Sequence, residues 1–157
     1  MSPFKRFKFF LWSFGHFKVA LIGYLRPRLI QLDDINMVIC LPLNRRSRNH
    51  LNSMYFGALA VGADLAAGLH GFYHADKEKC KVSLVFKSFQ AQFLKRPESN
   101  VYFVCTEGDT VKQMIKESRS SGERINKPIS IKAYTNYLKE ADEVANFILE
   151  LSVKVIT

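Results

Sequence analysis

The sequence predicts a single α+β domain in which a curved antiparallel sheet wraps around one long buried helix. Three observations support this prediction. The segment from Leu51 to Leu69 is apolar on every side and contains one charged residue, Asp64, which is typical of a helix inside a core. One alternating strand pattern precedes this segment and several follow it. The 157 residues contain no linker and no internal repeat, so one domain is expected.

An N-terminal helical extension is expected over residues 1–27, ahead of the main domain over residues 28–157. Phe7 to Leu25 is predicted to be a helix with aromatic residues on one side, and Pro27 ends it because proline disfavours helical backbone in the residue before it. The start of the chain imitates a signal peptide, but Lys18 interrupts the apolar run and no A-x-A cleavage site follows. This helix is expected either to cap the domain or to rest on a membrane surface.

The remaining elements follow from apolar periodicity and turn residues. Alternation over Ile35–Leu43 predicts the strand before the central helix, and Asn52 or Ser53 is the predicted N-cap of that helix. The segment His74–Lys79 has the composition of a turn. Further strands are predicted over 82–95, 101–105, 129–137 and 145–155, with a short helix that begins in a capping box at Thr110 and closes at Gly122.

The net charge of +9 concerns partners and solubility rather than fold. Basic residues concentrate near the N-terminus and again in the segment Arg45–Arg48. Neither cluster lies in a zinc-finger, RNA-recognition or helix-turn-helix signature. Nucleic acid, an anionic membrane surface and the phosphates of coenzyme A all stay open, and a solvated basic face is the alternative to them.

Cysteine and histidine spacing gives no support for a metal. Cys40, Cys80 and Cys105 form no C-x-x-C pair, so neither a disulfide framework nor a zinc site is predicted. Reduced thiols indicate a cytoplasmic protein. His70 and His74 share a helix face but lack the glutamate of an H-E-x-x-H motif, so we expect them at a solvated end of the helix.

The segment from Asn49 to Asp64, N-H-L-N-S-M-Y-F-G-A-L-A-V-G-A-D, resembles the signature of hot-dog acyl-CoA thioesterases. It is most similar to the phenylacetic-acid-degradation type and to a related, poorly characterised group of hot-dog proteins. The family pattern has an upstream Asn, a Gly-containing turn at the helix start that is often His-Gly-Gly, and an acidic residue about two turns later. Aligned on Asp64, this turn falls on Tyr55-Phe56-Gly57, where only Gly57 is kept.

The resemblance implies a hot-dog fold and an acyl thioester substrate, above all acyl-CoA, with no cofactor beyond the coenzyme A of the substrate and no nucleic-acid partner. It also implies a site at the interface of a homodimer, often within a tetramer. The predicted catalytic groups are Asp64 as base or nucleophile, the N–H groups near Phe56 and Gly57, and Asn49. The predicted substrate contacts are Asn52, Tyr55, Ala60, Val61 and Gly68.

Physical chemistry gives Asp64 a reason to be functional, because an ionised carboxylate buried without a partner is costly. Small residues on its helix face, such as Gly57, Ala60 and Gly68, leave room for a ligand. Gly57 and Asp64 lie roughly 10 Å apart along the helix axis, so one carbonyl cannot reach both within a single chain.

Several alternatives stay open at this stage. Asp64 could make a structural hydrogen bond to a neighbouring strand, and Asn49 and Asn52 could be capping residues. The protein as a whole could be a non-catalytic acyl-binding or lipid-binding hot-dog module, or a basic adaptor that docks at membranes.

Overall fold

The computed structural model describes residues 1–156 and places one long helix against a six-stranded, fully antiparallel sheet. Thr157 lies outside the described residues. The strand order is β1-β2-β4-β5-β6-β3. The helices are α1 (Pro3–Phe17), α2 (Ala20–Leu25), α3 (Phe56–Lys77) and α4 (Gly108–Ser121); the strands are β1 (Arg28–Leu32), β2 (Met37–Leu41), β3 (Lys81–Phe93), β4 (Val101–Cys105), β5 (Ile125–Thr135) and β6 (Asp142–Ile156).

The central helix α3 is the apolar segment predicted from the sequence, and it contacts five of the six strands. Such close contact requires small side chains. Gly62 lies directly on the ring of Phe103 in β4, and a Cβ at this position would overlap the ring. Because Phe103 is fully buried, the ring has no free space into which to move. The predicted arrangement of a sheet around a central helix is confirmed.

The N-terminal extension differs from the single helix predicted over Phe7–Leu25. It forms two helices, because Val19 adopts an extended conformation between them. A continuous helix of that length would project about 28 Å and could not place both halves on the domain. The turn at Val19 allows Leu11 and Ile22 to be buried together, and the backbones of Gly15 and Gly23 to touch. Within the described residues, no helix has the length and apolar character needed to cross a membrane.

The prediction was also wrong at the start of the sheet, where it contained no strand before Ile35. The strand β1 lies there as an edge strand, irregular between Leu29 and Gln31. The strand β2 is shorter than predicted because the side chain of Asp33 accepts hydrogen bonds from the backbone N–H groups of Ile35 and Asn36, at 2.9 and 2.8 Å. These bonds hold the connection as a turn.

Both ends of α3 were predicted incorrectly. The helix begins at Phe56, with Tyr55 as an N-cap that makes no side-chain hydrogen bond, so neither Asn52 nor Ser53 caps it. At its other end the helix continues to Lys77 through the residues predicted to be a turn. The continuation is stabilised by the β1–β2 turn, since Tyr73 donates a hydrogen bond of 2.8 Å to Asp34 and Lys77 forms an ion pair with the same carboxylate.

The second half of the chain agrees with the prediction in its order of strand, strand, helix, strand and strand. Gly122 closes α4 in the left-handed conformation, with φ +73°, as predicted. The capping box at Thr110 is wrong, because α4 begins at Gly108 after Glu107. A Cβ at residue 108 would overlap the carbonyl of Asp34, so the helix begins where the backbone must approach the β1–β2 turn closely.

Two glycines of α3 provide a matched test of this packing. Gly62→Ala is expected to lower the free energy of unfolding by about 1–3 kcal/mol, because the methyl group would overpack against Phe103. At Gly68 the nearest atoms to an added Cβ are 3.7 Å away, which is ordinary contact, so Gly68→Ala is expected to be neutral or to add up to about 1 kcal/mol of helix propensity. Urea unfolding of both variants measures the difference; equal effects would contradict the close approach of α3 to β4.

Candidate functional site

The helix α3 leaves one stripe of its surface uncovered. Between residues 58 and 71, every side chain is buried except Ala60, Val61 and Asp64, which are half-buried. These three positions follow one another on one face of the helix, and Gly57 continues the stripe towards the N-terminus. The predicted substrate contacts Ala60 and Val61 therefore lie beside the predicted catalytic carboxylate.

Asp64 is held in an apolar environment beside the strand β3. The position that a Cβ of residue 68 would occupy is 3.8 Å from Asp64 Oδ1 and 3.7 Å from both Leu84 and Phe86. Burial raises the pKa of Asp64, and no described residue forms a hydrogen bond or ion pair that would lower it. The structural hydrogen bond to a neighbouring strand, considered as an alternative from the sequence, is not present among residues 1–156.

Aromatic side chains of β3 continue the same apolar surface. Phe89 and Phe93 both pack against the buried Phe147 of β6, with ring centroids 5.7 and 6.3 Å away. The ring centroid of Phe93 also lies 6.5 Å from that of Phe56 at the start of α3. Both β3 rings stay about half exposed, because β3 is at the edge of the sheet. Sequence reasoning did not select these two residues, although the alternation Phe89, Ala91, Phe93 marked one face of the strand.

A cavity of about 580 Å³ opens at the N-terminus of α3. The predicted residues Asn49, Tyr55 and Phe56 line it, together with the end of β3 and the segment that follows. Asn52, Ala60, Val61, Asp64 and Gly68 do not line this cavity. The full lining is Asn49, His50, Ser53, Met54, Tyr55, Phe56, Leu59, Phe93, Leu94, Lys95, Arg96 and Pro97.

Asn49 organises the loop that leads into this cavity. Its side-chain oxygen accepts hydrogen bonds from the backbone N–H groups of Leu51 and Ser53 at 2.9 and 3.2 Å, and from the Ser53 hydroxyl at 3.2 Å. These bonds cap a loop rather than the helix, and they allow Asn52 to adopt a left-handed conformation with φ +60°. Asn52 is exposed on the outside of the loop.

The first turn of α3 offers backbone N–H groups that no side chain caps. Such groups at a helix N-terminus attract anions. The ring of Tyr55 lies directly over Gly57, and a Cβ at residue 57 would overlap it. Tyr55 and Phe56, with ring centroids 4.8 Å apart, therefore form an exposed aromatic edge around these N–H groups, at the position where the resembled family often has His-Gly.

His70 and His74 are not at a solvated end of the helix, as the sequence suggested, but buried at 0% and 1% exposure. Their Nε2 atoms donate hydrogen bonds of 3.0 Å to the backbone oxygens of Asp33 and Asp34. Burial is the main cause that lowers the pKa of His70 to about 4, and it lowers the pKa of His74 as well. Neutral imidazoles therefore attach α3 to the β1–β2 turn. No group of three His, Cys, Asp or Glu side chains within residues 1–156 is arranged to hold a metal.

No family model and no curated protein matches the sequence, but solved structures match nearly the whole chain. A candidate thioesterase from Shewanella oneidensis is 12% identical with a TM-score of 0.80, over 97% of this chain and 99% of that chain. A protein of unknown function from Chlorobaculum tepidum is 12% identical with a TM-score of 0.81, over 96% and 93%. A thioesterase family protein from Silicibacter pomeroyi is 18% identical with a TM-score of 0.67, over 92% and 94%. At this identity the likeness shows the fold, and the chain has the hot-dog fold predicted from its sequence.

The buried histidines predict how stability depends on pH. The imidazole of His70 titrates near 6.5 when unfolded and near 4 when folded, so the unfolded state binds the proton first as the pH falls. The contribution of neutral His70 to the free energy of unfolding is therefore present above pH 6.5 and is lost progressively between pH 6.5 and 4. We expect wild type to lose about 2 kcal/mol more than His70→Gln between pH 7.5 and 4.5.

Urea unfolding at the two pH values measures this difference. Carboxylates titrate in the same way in both proteins and cancel in the comparison. His70→Gln keeps an N–H donor for the Asp33 carbonyl but has no titrating group. Parallel pH profiles for the two proteins would show that His70 is not buried as a neutral ring.

Proposed function

We propose that this protein hydrolyses acyl thioesters, with acyl-CoA as the substrate and Asp64 as the general base or nucleophile. The observation that carries the proposal is the position of Asp64. It is a carboxylate without a protein partner among the described residues, on the one uncovered stripe of α3 between residues 58 and 71. Solved structures of the same fold that are named as thioesterases support the reaction class.

The chemistry requires a base and a site for the oxyanion. Asp64 accepts a proton from water, the water oxygen attacks the thioester carbonyl, and a tetrahedral oxyanion forms. The carbon–sulfur bond then breaks, and the proton passes to the thiolate to give free thiol and carboxylic acid. Because burial raises the pKa of Asp64, this carboxylate is a stronger base than an exposed aspartate.

The oxyanion site would be the first turn of α3, where the N–H groups of Phe56 and Gly57 have no capping side chain. This turn is roughly 10 Å from Asp64 along the axis of its own helix. A two-fold dimer would place the first turn of α3 from one subunit next to Asp64 of the other subunit, so that one thioester carbonyl could reach both. We therefore propose that the complete site contains groups from both subunits.

The strand β3 is the surface best suited to form this dimer. It is 13 residues long, pairs with β6 only, and has no buried side chain in the single chain. An edge strand of this length with exposed apolar residues such as Val85 and Phe89 is a template for pairing with another chain. Antiparallel pairing of two β3 strands would cover the stripe of α3 that includes Asp64.

Basic residues at the cavity favour coenzyme A as the thiol carrier. Lys95 and Arg96 line the cavity at the start of α3. Lys95 forms an ion pair of 2.6 Å with Asp142, whereas Arg96 forms none with the described residues. Guanidinium groups bind phosphates through paired hydrogen bonds, so Arg96 is the proposed contact for the phosphates of coenzyme A.

A non-catalytic acyl-binding protein is the second candidate, and one observation favours it. Tyr55 and Phe56 surround the helix start with exposed aromatic rings, which add apolar contact area where the resembled family often has His-Gly. In this case the same apolar surface would hold an acyl group without cleaving it.

The Asp64 proposal predicts opposite effects on activity and stability. Asp64→Asn is expected to reduce thiol release from acyl-CoA at least about 100-fold, because the base is lost. It is also expected to raise the free energy of unfolding at pH 7.5 by about 0.5–2 kcal/mol, since the charged form of a carboxyl with a raised pKa destabilises the fold. As the pH falls and Asp64 takes up its proton, this gain should shrink. A panel of short and long acyl chains, with urea unfolding at pH 7.5 and 4.5, measures both effects.

The control for this experiment is Asp109→Asn, which changes the same chemical group at an exposed position in the first turn of α4. It should release thiol at the wild-type rate. Activity that survives in Asp64→Asn would remove the assigned base. A wild-type protein that binds acyl-CoA but releases no thiol from any member of the panel would exclude the hydrolase and leave the acyl-binding protein.

If the complete site contains groups from both subunits, a variant that cannot dimerise should also lose thioesterase activity. Light scattering should give a mass at least twice the 18.0 kDa of one chain for wild type. Val85→Lys/Phe89→Lys should reduce the mass to that of one chain and abolish thiol release, because cations on both edges repel each other. Ile35→Lys/Leu138→Lys adds the same charge at exposed apolar positions away from β3 and should change neither property. A wild-type monomer with full thioesterase activity would refute the two-subunit site.

A further inference from the structure

The outward face of α1 and α2 carries an aromatic surface that consists of Phe9, Trp12, Phe17 and Tyr24. Phe9, Trp12 and Phe17 are 60%, 57% and 71% exposed. The ring of Trp12 is in contact with the rings of Phe9 and Phe17, at centroid distances of 5.7 and 6.1 Å. Trp12 and Tyr24 also border a cavity of about 920 Å³ between the two helices and β1. An exposed apolar surface of this kind is typical of an interaction site.

The fold does not use this aromatic surface. The opposite face of the two helices contributes Phe7, Leu11, Ile22 and Leu25 to the core. Phe7 packs edge-on against Tyr73 of α3 at 5.6 Å. The extension is therefore attached to the domain by a separate set of side chains, and its exposed aromatic residues are free to contact something else.

The charge around the aromatic surface has one sign. Residues 1–28 contain six Lys or Arg and no Asp or Glu, so they carry +6 of the net charge of +9. Among the described residues, only Arg6 of this group forms an ion pair, with Asp76. Arg46 adds a further cation, since its guanidinium lies 5.4 Å above the ring of Tyr24. No acidic side chain lines the neighbouring cavity.

We infer that the aromatic surface docks on an anionic phospholipid bilayer, with α1 and α2 lying in the plane of the membrane–water interface. Tryptophan and tyrosine favour this interface because they have an apolar ring and a polar group. Surrounding Lys and Arg side chains pair with anionic headgroups, and each multiplies the partition coefficient about fivefold. A second copy of the chain fits less well, because it would place two positively charged surfaces face to face.

The docking surface is separate from the proposed thioesterase site. The helix α1 packs against β1, and α2 packs against α1, whereas Asp64 lies beside β3 at the opposite edge of the sheet. Membrane docking can therefore occur whether or not the site is catalytic, and it leaves the β3 edge free for a partner subunit.

Trp12 is the only tryptophan of the chain and reports directly on docking. Mixing the full chain with phosphatidylcholine vesicles that contain 30 mol% phosphatidylserine, chosen as about one anionic lipid in three, should shift the Trp12 emission to the blue. Vesicle sedimentation should show binding at least about tenfold tighter than to pure phosphatidylcholine. Raising the salt to about 0.5 M should weaken binding, because it screens the headgroup charge.

Two pairs of variants separate the aromatic and basic contributions. Phe9→Ser/Phe17→Ser keeps the Trp12 reporter and should abolish binding, whereas Leu138→Ser removes an exposed apolar side chain elsewhere and should not. Lys8→Gln/Lys18→Gln should weaken binding about 25-fold. The matched charge control Lys132→Gln/Lys139→Gln, at exposed positions of β5 and its following turn, should change binding much less.

Thermal unfolding of each variant confirms that the fold is kept. An unshifted Trp12 emission with anionic vesicles would overturn the inference, and so would equal binding to anionic and neutral vesicles. Aggregation of the free chain that disappears in Phe9→Ser/Phe17→Ser, without vesicle binding by wild type, would instead assign the aromatic surface to self-association.

Discussion

A helix that is apolar on all sides can be stable in this chain only if the sheet surrounds it, and the other features of the structure depend on this constraint. The sheet can approach α3 closely because glycine and alanine occupy the contact positions. At Gly62 the ring of Phe103 lies where a side chain would otherwise be. Close packing on five strands buries 14 of the 22 residues of α3, so the uncovered residues between positions 58 and 71 are exceptions that require an explanation.

Asp64 is the most informative exception. A single sheet of six strands ends at β3 and does not cover the stripe of Gly57, Ala60, Val61 and Asp64. The gap is too apolar to favour an isolated carboxylate, and its edge strand has unpaired backbone groups. In the proposed dimer, the approach of a second chain along β3 would cover this gap and pair these backbone groups. The proposed assembly and the proposed role of Asp64 would therefore both follow from this one open edge.

The parts of the fold that could be predicted are those in which one physical cause dominates the pattern. Alternation identified β6 because Phe147, Leu149 and Leu151 face the core on one side of the strand. The strand β1 was missed because it is short and irregular at Leu29. At the candidate site, the sequence singled out Asp64 because it is isolated among apolar residues. Phe89 and Phe93 could not be found in this way, because a strand residue facing an open apolar surface and one facing a core have the same alternation.

The errors at the ends of α3 have a common origin in polar residues that serve tertiary structure. Asn49 has the chemistry of a helix cap but uses its oxygen to close a loop, which delays the helix by several residues. His70 and His74 have the polarity of a solvated terminus, but each ring donates to a carbonyl of the β1–β2 turn and stays neutral. These bonds attach the far end of α3 to the edge of the sheet beside which α1 and α2 lie. The C-terminal half of α3 is thus fixed to the β1–β2 turn, whereas its N-terminal half carries the uncovered stripe and is the part of the helix open to a ligand.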